Sequence, residues 1–172
     1  MHRISVRRVY SVGAIALLGI ATIMGSVAEN RTQLVWNGSA SAPIGLYWVQ
    51  HQRRIARGDL VLAQLPNSVQ QIAADRRYLP PNVPLVKRVA ALSGDTVCAI
   101  DTTISINDEA VAQRLDRDLA GRSMPFWRGC RILGRGDVFL LMAEVPASFD
   151  GRYFGVTRTN AIQGRLVILW TP

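Results

Sequence analysis

The feature that most constrains this chain is a series of short β-prone segments punctuated by turn residues. Residues 32–36, 45–50, 60–64, 85–92, 96–100, 103–106, 131–133, 138–142 and 165–170 are each apolar, aromatic or alternating in character. Between them stand Arg57-Gly58-Asp59, Ser93-Gly94-Asp95 and Gly134-Arg135-Gly136-Asp137, all turn-formers, and Asn107-Asp108 fits a hairpin tip. Residues 68–77 have helical character, and Pro80-Pro81 and Pro84 end it. Residues 111–122 are polar and read as a helix or a loose insertion. The expected fold is a single, mainly β domain.

A different signal precedes that domain. Residues 9–28 carry no charge, and about 20 such residues span a bilayer core as a helix. Arg3, Arg7 and Arg8 come first, and positive flanks stay cytoplasmic. The expected organisation is a basic cytoplasmic stub at 1–8, a transmembrane anchor at 9–28 and a periplasmic domain at 29–172, in a bacterial inner membrane. A cleaved signal peptide, processed near Gly25-Ser26-Val27-Ala28, is the competing reading.

The formal net charge is +8, with clusters at Arg53-Arg54-Arg57 and Arg76-Arg77. Such clusters suit anionic headgroups or nucleic acid. No nucleic-acid motif accompanies them, however, and a periplasmic domain faces away from cytoplasmic DNA, so a solvated basic face is expected. Trp36 and Trp48 suit either a membrane interface or the core. There are two cysteines, Cys98 and Cys130, outside any CxxC, and two histidines. A zinc site is not expected, nor any other metal or cofactor. In an oxidising compartment the two cysteines either form a disulfide or stay as separate buried thiols.

Of 20 lysines plus arginines, one is a lysine, Lys87. Codon bias accounts for the scarcity but not for the place, within Leu85-Val86-Lys87-Arg88-Val89-Ala90-Ala91-Leu92. An arginine there would stay charged, whereas a desolvated lysine can lose its proton and act as a base. The alternative is a strand-end lysine that snorkels to water. A histidine-based serine hydrolase has poor support, because His2 is on the cytoplasmic side of the expected topology and His51 lies in a polar, Arg-rich stretch. What remains is a serine nucleophile with a lysine base. Asn37-Gly38-Ser39-Ala40-Ser41-Ala42-Pro43 is a small-residue loop that offers the serine.

At this point the chain resembles the type I signal peptidases. Ser39-Ala40-Ser41-Ala42-Pro43-Ile44-Gly45-Leu46-Tyr47 is similar to their nucleophile box. Lys87-Arg88-Val89 followed by Ser93-Gly94-Asp95 is similar to their lysine box, and residues 148–155 to their last box, in family order. Within that family the details at 43–47, 85–92, 127–130 and 148–155 resemble the conjugal-transfer, TraF-type branch. The resemblance implies a signal-peptidase-like antiparallel β domain behind an N-terminal transmembrane helix. It implies Ser41 as nucleophile, Lys87 as its base, and the Ser41 N–H and Ser39 hydroxyl as oxyanion donors. Ser148 would orient the Lys87 amine. Asp150 and Arg152 would pair to hold the last box at the site, as opposed to forming a plain turn salt bridge of about 0–1 kcal/mol.

The implied partners are a membrane-tethered pilin precursor, the inner membrane and the conjugation machinery. Ala42 stands where signal peptidases usually have Met, Ser93 replaces Pro, Gly151 replaces the second Ser of the last box, and the usual GDN segment before it is missing. These departures fit a specialised enzyme better than a general signal peptidase. Ser123-Met124-Pro125 copies the family's nucleophile dipeptide more literally than Ser41-Ala42, but it follows Lys87 and is read as loop. The competing functions are broad leader-peptide cleavage, a non-enzymatic scaffold of a secretion or conjugation apparatus, and a DNA-contacting module.

Overall fold

Strand formation follows the turn punctuation closely. The strands are β1 (Leu34–Asn37), β2 (Gly45–Gln50), β3 (Leu60–Ala63), β4 (Leu85–Leu92), β5 (Thr96–Ile100), β6 (Thr103–Ile106), β7 (Glu109–Gln113), β8 (Gly129–Ile132), β9 (Asp137–Leu140), β10 (Thr157–Arg158) and β11 (Ile162–Trp170). Helix α1 (Asn67–Asp75) follows β3, and the short helix α2 (Gly151–Phe154) precedes β10. The computed structural model describes residues 32–51 and 54–172. The expected stub at 1–8, the expected anchor at 9–28 and Arg53 lie outside the described residues. Among the described residues no helix is long and apolar enough to cross a membrane.

Two antiparallel sheets result. The larger has the order β1-β2-β11-β3-β4-β9-β10 and the smaller β7-β6-β5-β8. The C-terminal strand β11 is inserted between β2 and β3, so the sheet closes only when the last strand arrives. Strand β4 lies inside this sheet, with Lys87 opposite Val61 of β3. The hairpin tip at Asn107-Asp108 has φ of 50° and 68°, the doubly left-handed geometry that lets a two-residue turn match strand twist.

The polar stretch at 111–122 is corrected: it begins as the end of β7 and continues as a loop with one isolated bridge, Arg117 to Ser123. Strand β7 is the edge of the smaller sheet and buries neither face fully, so no apolar alternation marks it in sequence.

Three apolar clusters fill the domain. Val61, Ala63, Val89 and Leu140 pack against Val69 and Ala73 of α1. Val97, Ile104 and Leu133 pack with Ala91 and Phe139, joining the two sheets. Ala42, Tyr47, Leu62, Val86 and Met142 form the third cluster, which joins the loop after β1 to β4 and to the chain following β9. Cys98 and Cys130 are register partners on β5 and β8 and form a disulfide.

Trp36 and Trp48 are 56% and 46% exposed, which overturns the core reading for both. Trp36 stacks on Trp170 with ring centroids 5.9 Å apart. The basic clusters are partly tied down: Arg57 pairs with Asp95 at 2.6 Å, and Arg76 donates to the Ser123 carbonyl.

Candidate active site

The third cluster forms the floor of the site. Ala42 and Tyr47 anchor the β1–β2 loop into it, and Val86 does the same for β4. The loop places Ser41 over the middle of β4, and Lys87 Nζ lies 2.9 Å from Ser41 Oγ. The two residues are 46 positions apart in sequence. Lys87 is 4% exposed, so its ammonium loses most of its hydration. Burial therefore pushes the lysine down to about 8, with the negative charge of Asp150 opposing the shift and the positive charge of Arg152 assisting it. A neutral amine at this distance can accept the hydroxyl proton, which is the demand a serine nucleophile makes of its base.

The two expected oxyanion donors meet each other. The Ser41 N–H donates to Ser39 Oγ at 3.3 Å, and the Ser39 and Ser41 hydroxyls are 3.0 Å apart.

The last box wraps the opposite side. Asp150 and Arg152 are fully buried, and their bond is a fork: Arg152 Nε donates to Asp150 Oδ1 at 2.9 Å and Nη2 to Oδ2 at 2.8 Å. This excludes the plain turn salt bridge. The same guanidinium donates to the carbonyls of Met142, Val145 and Pro146, while Asp150 accepts from the Met142 N–H. The pair thus stitches the chain after β9 to α2.

Gly151 has a steric explanation. A Cβ there would sit 2.7 Å from the Leu140 carbonyl oxygen and from a Phe139 ring carbon, so the serine usual in the family does not fit.

Ser148 is buried, and among the described residues its hydroxyl has no hydrogen-bond partner, the Lys87 amine included. Its N–H closes a turn on the Val145 carbonyl at 3.0 Å. The literal dipeptide Ser123-Met124 lies in the 114–128 loop, tied to the end of α1 through Arg76. His51 is half-buried, with Nδ1 2.9 Å from the Gln163 carbonyl oxygen. Sequence reasoning missed Asn37, whose side chain spans the nucleophile loop. The signal available was an Asn at the entry to a small-residue loop, where its amide bonds readily to nearby backbone.

The fold and the site together describe a β domain that sets a loop hydroxyl on a desolvated amine, Ser41 on Lys87. Residues 6–171 match the family model described as signal peptidase, peptidase S26, and the chain belongs to that family of peptidases. Two relatives are each described as plasmid transfer protein TraF from Escherichia coli. One is 31% identical over 169 residues, covering 91% of this chain and 94% of the relative. The other is 30% identical over 170 residues, covering 92% of each. A crystal structure of a signal peptidase I from Enterococcus faecalis V583 is similar at 20% identity and a TM-score of 0.39, covering 67% of this chain and 98% of that one. The family assignment rests on the sequence matches.

The lowered lysine sets the pH dependence of a reaction that uses it as base. Only the neutral amine accepts a proton, so kcat/KM is expected to rise about tenfold per pH unit below about 8 and level off above. A pH–rate profile on a peptide substrate measures this. An ascending midpoint near the ordinary lysine value, 10.5, would show that the amine is not desolvated.

Proposed function

We propose that this chain is a membrane-tethered serine endopeptidase in which Ser41 is the nucleophile and Lys87 its base, and that it matures the pilin subunit for plasmid transfer. The observation that carries the reading is the buried Lys87 amine 2.9 Å from Ser41 Oγ. Ser41 attacks the scissile carbonyl as Lys87 takes its proton. The Ser41 N–H and the Ser39 hydroxyl turn to the oxyanion, where a donor of this kind is typically worth about 3 kcal/mol. Lys87 then returns the proton to the leaving amine. Water resolves the acyl-enzyme to a linear product, whereas the substrate's own N-terminal amine resolves it to a ring.

Plasmid transfer enters from the two TraF relatives. The uncharged segment at 9–28 supports an inner-membrane tether with the domain on the periplasmic side. The exposed Trp36, Trp48 and Trp170 near the nucleophile loop suit the headgroup layer, where a membrane-held precursor would arrive.

The test is intact-mass spectrometry of the pilin precursor from the same operon, co-expressed with wild-type enzyme or with Lys87→Ala. A shortened pilin with wild type alone is the expected result; a mass one water below the linear product identifies cyclisation. Pilin left intact by wild type would favour broad leader-peptide cleavage. Equal shortening with Lys87→Ala would remove the dyad and leave a scaffold role.

A further inference from the structure

The two partners of the proposed dyad are held very differently. Lys87 sits in the interior of a strand paired on both sides, by β3 and β9. Ser41 sits in the loop at 38–44 between β1 and β2. The backbone of that loop makes one internal hydrogen bond among the described residues, Ala42 N–H to the Ser39 carbonyl, and it is long at 3.4 Å. Ahead of the buried anchor Ala42, the small residues at 38–41 add little packing constraint, and a segment of this kind samples many backbone states unless something fixes it.

The fixing group is the buried side chain of Asn37, the last residue of β1. Its Nδ2 lies 3.0 Å from the Ser39 carbonyl oxygen, 3.1 Å from that of Ala42 and 3.0 Å from that of Pro43. Its Oδ1 accepts from the Ser39 N–H at 3.1 Å. One amide therefore gathers three carbonyls from both sides of Ser41, its two protons shared among three acceptors. Asn37 is itself located by its register partner Gly45 across the hairpin. Gly45 cannot be replaced freely, because a Cβ there would lie 2.2 Å from the Trp170 carbonyl oxygen. The chain of constraint thus runs from β11 through Gly45 and Asn37 to Ser41. Tyr47 adds one more tie, from its hydroxyl to the Pro43 carbonyl, downstream of the nucleophile.

Resting on the proposed roles of Ser41 and Lys87, we infer that Asn37 is a positioning residue that sets the Ser41 hydroxyl on the Lys87 amine. A hydroxyl displaced by about 1 Å from its base costs about a hundredfold in rate. Asn37→Asp keeps the size and the acceptor for the Ser39 N–H, but turns a second oxygen toward three carbonyls. Asn37→Ser keeps a hydroxyl too short to bridge them.

The experiment measures acylation of Ser41 by p-nitrophenyl acetate, with the acetylated residue located by mass spectrometry and rates expressed per folded molecule from cooperative melts. Both variants are expected to slow acylation about a hundredfold. In a Ser41→Ala background neither variant should lower the residual rate further, because a group acting through Ser41 has nothing left to act on. Wild-type rates in the folded variants would overturn the positioning role while leaving the dyad in place. An additive loss on top of Ser41→Ala would also overturn it, as would failure of both variants to fold, which would make Asn37 a determinant of folding. Wild-type protein acetylated elsewhere than Ser41 would overturn the dyad itself and the inference with it.

Discussion

Replacing Lys87 by methionine is expected to abolish peptide cleavage while making the domain more stable. Removing one member of a nucleophile–base unit costs about four to six orders of magnitude in kcat. Methionine is close in volume and stands opposite the apolar Val61 of β3. The stability gain follows from the lysine's lowered pKa. In the unfolded chain the amine titrates near 10.5 and in the fold near 8. Below about 8 both states hold the proton and the fold carries the full penalty of a buried ammonium, at most about 3 kcal/mol. Between those two values the unfolded chain binds the proton and the folded one does not, so wild-type stability rises with pH across that window. Denaturant midpoints at pH 7 and pH 10 test both halves: the methionine variant should lead at the lower pH, with the gap narrowing at the higher. Retained cleavage by Lys87→Met would remove Lys87 from the chemistry. Equal midpoints at pH 7 would show that the amine is not desolvated.

The second large effect concerns the fold. Arg152→Leu is expected to destabilise the domain by about 3–5 kcal/mol, because it leaves the Asp150 carboxylate buried and unpaired. It also strips the donor from the Met142 and Val145 carbonyls. For a domain of this size that corresponds to a drop of about 10 °C or more in Tm. Arg152→Lys should recover little of it, since one ammonium cannot reproduce the fork onto Asp150 while also reaching those carbonyls. Thermal melts followed by circular dichroism decide the matter. A shift of less than roughly 2 °C would mean that the pair is worth no more than an exposed one.

The two variants separate roles that the last box combines. Asp150 and Arg152 bear on Lys87 electrostatically in opposite directions, Asp150 raising and Arg152 lowering its pKa. Their first effect is mechanical, because they hold the chain after β9, and with it Met142, against the floor under the dyad. Loss of activity in an Asp150 variant is therefore expected to track loss of fold, whereas loss in a Lys87 variant is not.

The amino-acid sequence by itself determined where the chain turns and which segments extend. Strands β2, β4, β5 and β6 fall on the residues read from apolar runs and alternation, because strand periodicity and turn chemistry are local properties of a few residues. The small-residue loop around Ser41 and the lone lysine in its apolar run were legible for the same reason, as was their order in the chain. The tertiary structure decided what distant segments do to one another. Strand β7 was hidden because an edge strand has no buried face to write a pattern. The pairing of Cys98 with Cys130 depended on β5 and β8 meeting in register. The Asp150–Arg152 pair could have been a surface turn contact until the chain after β9 and the end of β7 closed over it. Ser41 meets Lys87 although β11 and β3 stand between β2 and β4 in the sheet, because the β1–β2 loop packs through Ala42 into one cluster with Leu62, Val86 and Met142. Burial and desolvation are set by whichever chain arrives to cover a group, and no local window contains that chain.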